Sequence, residues 1–109
     1  DRAGLAARLE ALLGERPQVL PFGTDVIARV AVVSGAAADL IPEAAGACVH
    51  AFVTGETSHT AVHQARERNL NVLFAGHYAT ETLGVRALGD HLGKRFGLET
   101  VFLDFPTGF

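Results

Sequence analysis

Short apolar segments alternate with helix-like segments along this chain, and that alternation limits the fold more than any other feature. The apolar segments predict strands at residues 19–22, 26–33, 49–53, 71–75 and 100–105. Most segments between them carry apolar side chains at steps of three and four, which is typical of amphipathic helices. We therefore predict an α/β fold, a layered mixed sheet of about five strands with about four helices.

Two of the predicted strands differ in where the sheet should place them. Val26 to Val33 is the segment richest in β-branched residues, which predicts a buried central strand. Residues 19–22 include Pro21, which cannot donate the backbone hydrogen bond that a central strand requires. We therefore expect residues 19–22 at an edge of the sheet.

A long helix is predicted before the last strand, and it ends at Gly97. Its expected core face consists of four apolar residues at steps of three and four: Val85, Leu88, Leu92 and Phe96. Glycines inside a helix weaken it by roughly 1 kcal/mol each relative to alanine. We interpret the three in this helix as sites of close backbone approach: Gly84, Gly89 and Gly93.

Length and composition restrict the class of protein. The 109 residues suffice for one compact domain, residues 1–109, and are too few for two. No apolar run is long enough to span a bilayer, so we expect no membrane contact. The formal charge of −3 comes without a basic stripe, which argues against nucleic acid as a partner.

The single cysteine and the missing methionine add two expectations. Cys48 has no CxxC partner, so we predict a small core residue in a protein of the reducing cytoplasm. A chain without methionine is expected to be a segment of a longer polypeptide or a processed one. Removal of an initiator alone would also explain the absence.

Polar or glycine-bearing loops follow three of the predicted strands: Ser34-Gly35, Thr54-Gly55-Glu56 and Gly76-His77. The carboxyl ends of parallel strands meet at one edge of a sheet, and open α/β sheets bind ligands there. The sequence therefore predicts a single site built from these three loops.

His77 and Glu81 form the most informative pair at that edge. They lie four residues apart at the start of a helix, so both side chains point to one side. Imidazole nitrogen and carboxylate oxygen suit zinc, iron or manganese, although two ligands do not complete a site. The alternative is that both residues only stabilise the helix N-terminus.

Three further side chains are candidates for chemistry. Glu56 is a candidate general base or a partner that orients a histidine, and a carboxylate on a helix dipole is the alternative. His59 and His63 are also four apart, and they form either a second half-site or a solvated helix face. His50 is expected to be a hydrogen-bonded, half-buried strand residue.

Several of these motifs together resemble one family. The run Gly76-His77-Tyr78-Ala79-Thr80-Glu81-Thr82 follows the loop Thr54-Gly55-Glu56 by about twenty residues. With the Ser34-Gly35 strand end, the glycine-rich last helix and the terminal Asp104-Phe105-Pro106, it resembles the dinuclear metal centre, hexameric protein family. These proteins are also called NGG-interacting-factor-three-like or GTP cyclohydrolase I type 2-like proteins.

The resemblance covers about the C-terminal half of that family's chain, one half of a two-part α/β fold. It implies that His77 and Glu81 are the two metal ligands of this half. It also implies an adjacent histidine pair and an acidic ligand in the N-terminal half, and no His-His pair occurs here. The expected cofactors are two divalent ions per full-length chain, zinc, iron or manganese, with the site incomplete in this segment.

The same resemblance implies partners and leaves two functions open. Expected partners are further copies in a toroidal hexamer, the N-terminal half of the same chain, and a small-molecule substrate. The first function is a metal-dependent hydrolase for a nucleotide-like or phosphorylated small molecule, with Glu56 and His63 as candidate catalytic residues. The second is a non-catalytic, metal-stabilised oligomeric binding module, so whether the protein is an enzyme stays open.

Overall fold

The computed structural model describes residues 1–108, which form four α-helices and four strands. In chain order they are α1 (Arg2–Leu13), β1 (Gln18–Pro21), β2 (Val30–Val32), α2 (Ile41–Gly46), β3 (Ala51–Thr54), α3 (Ala61–Glu67), β4 (Asn71–Phe74) and α4 (His77–Phe96). A turn of 3-10 helix, Ala38–Leu40, leads into α2. The predicted α/β class is confirmed.

The strands form one mixed sheet in the order β1-β4-β3-β2. β2, β3 and β4 are parallel, whereas β1 pairs antiparallel with β4 at the edge that Pro21 predicted. Alternate side chains of β3 and β4 serve two cores, because successive strand residues face opposite sides. Phe52 packs with Ile41 on the side of α2 and α3, and Val53 packs with Ala6 of α1 on the other.

The predicted central strand at Val26 to Val33 is wrong in both length and place. Only Val30–Val32 is a strand, it pairs with β3 alone, and it forms the second edge of the sheet. The side chain of Val32 is 70% exposed. β-Branched residues favour any strand, whereas the central positions belong to β3 and β4, which helices cover on both faces.

The predicted fifth strand at Thr100 to Phe105 is also wrong. Within residues 98–108, which we call the C-terminal strap, the chain is extended but not part of the sheet. The strap lies along α4 instead of a strand edge, so it has no ladder of hydrogen bonds to join. Apolar alternation predicts an extended backbone, and it does not by itself supply a neighbouring strand.

Three of the four residues of the expected core face of α4 are exposed in this chain, since Val85, Leu88 and Phe96 are 56%, 56% and 62% exposed; Leu92 is half-buried. Of the helix glycines, Gly93 comes close to other backbone, since a Cβ there would lie 3.3 Å from the Leu98 carbonyl oxygen. Cys48 is likewise exposed instead of buried. Among the described residues no helix is both long and apolar enough to cross a membrane.

Candidate functional site

The three predicted loops meet at the carboxyl edge of the sheet, and backbone hydrogen bonds join them. The Gly35 carbonyl oxygen accepts from the backbone N–H of Gly55 at 2.8 Å and of Glu56 at 3.1 Å. The backbone N–H of Gly76 donates to the Gly55 carbonyl at 2.9 Å. The predicted convergence of these loops is therefore confirmed, because parallel β2, β3 and β4 end side by side.

Two threonine hydroxyls complete this loop network. Thr80 Oγ1 accepts from the Gly35 N–H at 3.0 Å and lies 2.8 Å from the Gly76 carbonyl to which it donates. Buried Thr54 Oγ1 donates to the Gly35 carbonyl and accepts from the Ala37 N–H. Thr80 therefore positions these loops, a role that the sequence analysis did not predict. The sequence feature that could have indicated it is a threonine hydroxyl one turn inside the helix that begins at His77.

Gly35 and Gly55 permit the close approach of these elements. A Cβ at Gly55 would lie 2.7 Å from the His77 Cα, closer than real Cβ contacts. Gly35 has a φ of +71°, and a Cβ there would lie 2.6 Å from Glu81 Oε1 and 3.3 Å from His77 Nε2. The missing side chain at Gly35 therefore allows the Glu81 carboxylate and the outer nitrogen of His77 to pack closely against this loop.

The imidazole of His77 lies between two carboxylates. Its Nδ1 is 2.6 Å from Glu56 Oε2, and its Nε2 is 3.4 Å from Glu81 Oε1. The Glu56 hydrogen bond, with a smaller contribution from the Glu81 charge, raises the pKa of His77 above 6.5, because both carboxylates stabilise the imidazolium; partial desolvation opposes this. Glu56 thus orients the histidine, which is one of the roles predicted for it.

This arrangement leaves two donors available to a cation. When Nδ1 donates its proton to Glu56, the lone pair of His77 Nε2 lies on the side of Glu81 Oε1. A carboxylate on the far nitrogen is the usual partner of a metal-binding histidine. Among residues 1–108 no group of three or more His, Cys, Asp or Glu side chains could hold a metal ion, since Glu56 faces the opposite ring nitrogen. The donors present therefore fit half of a zinc, iron or manganese site.

A cavity of about 500 Å³ adjoins these donors, and Glu56, His77, Tyr78, Glu81 and Thr107 line it. Four of the five residues come from the loops and the first turns of α4. Thr107 comes from the C-terminal strap, just beyond the strand predicted at residues 100–105. No local pattern near residue 107 indicated that the strap returns to this edge.

The remaining histidines lie elsewhere. His63 is exposed on α3, where its ring lies edge-on to that of His59 with centroids 6.2 Å apart. Neither histidine lines the cavity at His77, and the catalytic role of His63 stays a prediction. His50 is half-buried and its Nδ1 accepts from the Arg29 N–H at 3.1 Å, as predicted, but it precedes β3 instead of lying in a strand.

Known proteins resemble this chain over nearly all of its length. A family model described as Duf34/NIF3 (NGG1p interacting factor 3) matches residues 2–107. A GTP cyclohydrolase 1 type 2 homolog of Pseudomonas aeruginosa is 44% identical over 104 residues, which are 95% of this chain and 41% of that protein. One from Halobacterium salinarum is 48% identical over 105 residues, covering 95% of this chain and 40% of the relative.

A solved structure agrees with the sequence relatives. TTHA1606 from Thermus thermophilus superposes with a TM-score of 0.89 at 48% identity, over 96% of this chain and 42% of that one. The chain therefore spans about two fifths of the length of the proteins that it matches. The extent of the family match and the level of identity establish that this chain belongs to the Duf34/NIF3 family.

Proposed function

We propose that this chain contributes His77 and Glu81 to a divalent-metal centre of a hydrolase. One observation carries the proposal: Glu56 engages Nδ1 of His77 at 2.6 Å, which directs Nε2 to the side where Glu81 Oε1 lies 3.4 Å away. His77 and Glu81 also line one cavity. A structural histidine at a helix start would need neither an orienting carboxylate nor an adjoining cavity.

The remaining ligands have to come from outside residues 1–108, because two donors do not complete a site. We propose that the N-terminal half of a longer chain supplies them, and that a full-length chain holds two zinc, iron or manganese ions. The relatives of which this chain spans about two fifths have room for such a half. A divalent ion bound there would supply Lewis acidity and a more acidic coordinated water.

The substrate is proposed as a nucleotide-like or phosphorylated small molecule. Relatives named GTP cyclohydrolase 1 type 2 homolog support this class, and phosphoester or amide hydrolysis is equally compatible with the two donors. In this proposal Glu56 keeps His77 in the tautomer that leaves Nε2 free. His63 remains a candidate for proton transfer, although its exposed place on α3 gives that role no further support.

Metal content tests the proposal most directly. Elemental mass spectrometry on the protein at its natural length should find about two metal ions per chain, and H77A and E81A should each lose metal while keeping the far-ultraviolet circular dichroism of the fold. The matched control is H91A, which removes an exposed histidine from the same helix and should keep the metal. Metal retained by H77A and E81A, or absent from the parent, would overturn the proposal.

A second candidate is a non-catalytic, metal-stabilised oligomer that binds a partner. Its support is a surface of exposed apolar side chains on α4 and the strap: Val85, Leu88, Phe96, Leu98, Val101, Leu103 and Phe105. Patches of this kind mark contacts with other chains or domains. We propose that copies assemble, as a hexamer, in the cytoplasm, where the exposed thiol of Cys48 stays reduced.

Two measurements separate these candidates. L88E should reduce the mass measured by light scattering after size exclusion, because it buries a charge in the proposed contact between copies. R8E, at an exposed position of α1, is the control for the added charge. A hydrolase needs an open metal position with bound water, whereas a structural site is closed. Turnover of phosphorylated substrates that disappears with the metal therefore supports the first candidate, and a closed site without turnover supports the second.

A further inference from the structure

The C-terminal strap returns along α4 toward the candidate metal site. Thr100 lies beside Gly89 and Gly93, where a Cβ on either glycine would be 3.9 Å and 3.8 Å from Thr100 Oγ1. The Arg86 guanidinium carbon lies 4.1 Å from the centroid of the Phe102 ring. Further along, Thr107 lines the cavity that also contains His77. The strap therefore runs antiparallel to the helix and ends as a wall of the site.

Little apolar burial holds the strap in this position. The outward-facing side chains of Val101, Leu103 and Phe105 are 82%, 67% and 73% exposed. Even Phe102, on the inner face, is 36% exposed. Because hydrophobic stabilisation scales with the apolar area removed from water, polar contacts carry a large share of the attachment.

Tyr78 makes the closest of those polar contacts. Its hydroxyl donates to Asp104 Oδ1 at 2.6 Å and accepts from the Phe105 backbone N–H at 2.8 Å. Asp104 Oδ2 also lies 3.9 Å from Arg86 Nη2. Tyr78 directly follows His77 in α4, so the residue that fastens the strap is the neighbour of the candidate ligand.

We propose that Tyr78 and Asp104 form a latch that holds the strap against α4, and that release of the latch widens access of ligands to the cavity at His77. The strap is then a movable wall of the site. The importance of this latch rests on the proposed function, because the cavity is the one beside the proposed metal ligands. The latch itself depends only on contacts between Tyr78, Asp104 and Phe105, so metal-free protein can test it.

The experiment measures access to His77 with diethyl pyrocarbonate on metal-free protein of natural length, at a pH where the imidazole is neutral. Mass spectrometry gives the carbethoxylation rate of His77, divided by that of exposed His91 on the same helix. Hydrogen exchange of a peptide covering residues 98–108 reports strap opening independently. The variants are Y78F, which removes both hydrogen bonds of the Tyr78 hydroxyl, and D104N, which weakens the bond that this hydroxyl donates and removes the charge near Arg86. The control is E99Q, which removes an exposed carboxylate from the same segment.

In Y78F and D104N, the loss of a charge-assisted hydrogen bond should raise two quantities by about threefold to tenfold: the carbethoxylation rate of His77 relative to His91, and the hydrogen exchange of the strap. E99Q should match the parent in both measurements. Unchanged hydrogen exchange of the strap in Y78F and D104N would overturn the latch. Faster exchange with an unchanged carbethoxylation rate of His77 would overturn the proposal that the latch controls access to the cavity. Metal absent from the parent would remove only the proposed function, because carbethoxylation does not need it.

Discussion

The two ends of the parallel strands, which we call the amino edge and the carboxyl edge of the sheet, carry polar networks of opposite character. At the amino edge, buried Asn71 uses all of its amide: Oδ1 accepts from the Gly23 N–H at 3.0 Å and from Arg2 Nη1 at 3.2 Å. Its Nδ2 donates to the carbonyls of Thr24 at 2.7 Å and His50 at 3.0 Å. Every donor and acceptor of this side chain therefore has a partner within the protein.

At the carboxyl edge, the polar side chains are only partly paired with one another. Glu56 satisfies one nitrogen of His77, while Nε2 and the Glu81 carboxylate face a cavity and are partly exposed. The comparison shows that a network in which every donor and acceptor is paired stabilises the fold, whereas a network with incompletely paired groups at a cavity can bind a ligand. Three predictions test this distinction, in decreasing order of expected effect.

The largest effect is expected from N71A at the amino edge. It leaves the Gly23 N–H and the Thr24 and His50 carbonyls without their partner, which should lower the free energy of unfolding by about 3 kcal/mol. Urea denaturation measures the loss. N69G, a change at an exposed asparagine with a φ of 51°, should stay within about 0.5 kcal/mol of the parent. Equal stability of the two variants would mean that the Asn71 network does not hold the fold.

An intermediate effect is expected from G35A at the carboxyl edge. The new Cβ would lie 2.6 Å from Glu81 Oε1 at a φ of +71°, so about 2 kcal/mol of stability should be lost, together with the metal that we propose for this site. G14A is the matched control, because its φ is +89° and nothing lies within 4 Å of its Cβ. It should cost about 1 kcal/mol and keep the metal. If G35A behaved as G14A does, the close packing of Gly35 against Glu81 and His77 would have no role.

The smallest effect on stability is expected from E56Q, which removes the charge beside His77 and should lower the raised pKa of that histidine toward 6.5. In metal-free parent protein the pair stabilises the fold fully below pH 6.5. That contribution disappears as the pH rises through the raised pKa, and E56Q should lack this dependence. Proton NMR of the His77 ring measures the shift. E67Q, at an exposed glutamate on α3, should leave the pKa of His77 as in the parent.

Much of the candidate site was predictable because its parts are local. The loops after β2, β3 and β4 follow apolar strands, and parallel strands bring their carboxyl ends together. Likewise, a spacing of four at a helix start places His77 and Glu81 on one side. The contact between Glu56 and His77 joins residues 21 positions apart, so only the register of β3 against β4 could decide it.

The sequence by itself determined the α/β class, the edge position of the strand with Pro21 and the three loops of the site, because each follows from short-range periodicity or backbone chemistry. The tertiary structure alone decided which strand is central, whether α4 is covered, and that residues 100–105 belong to a strap instead of a strand. A segment rich in β-branched residues favours an extended backbone, but the element that lies beside it depends on which surfaces are available for packing. Packing over the whole domain decides this, and no local sequence pattern contains that information.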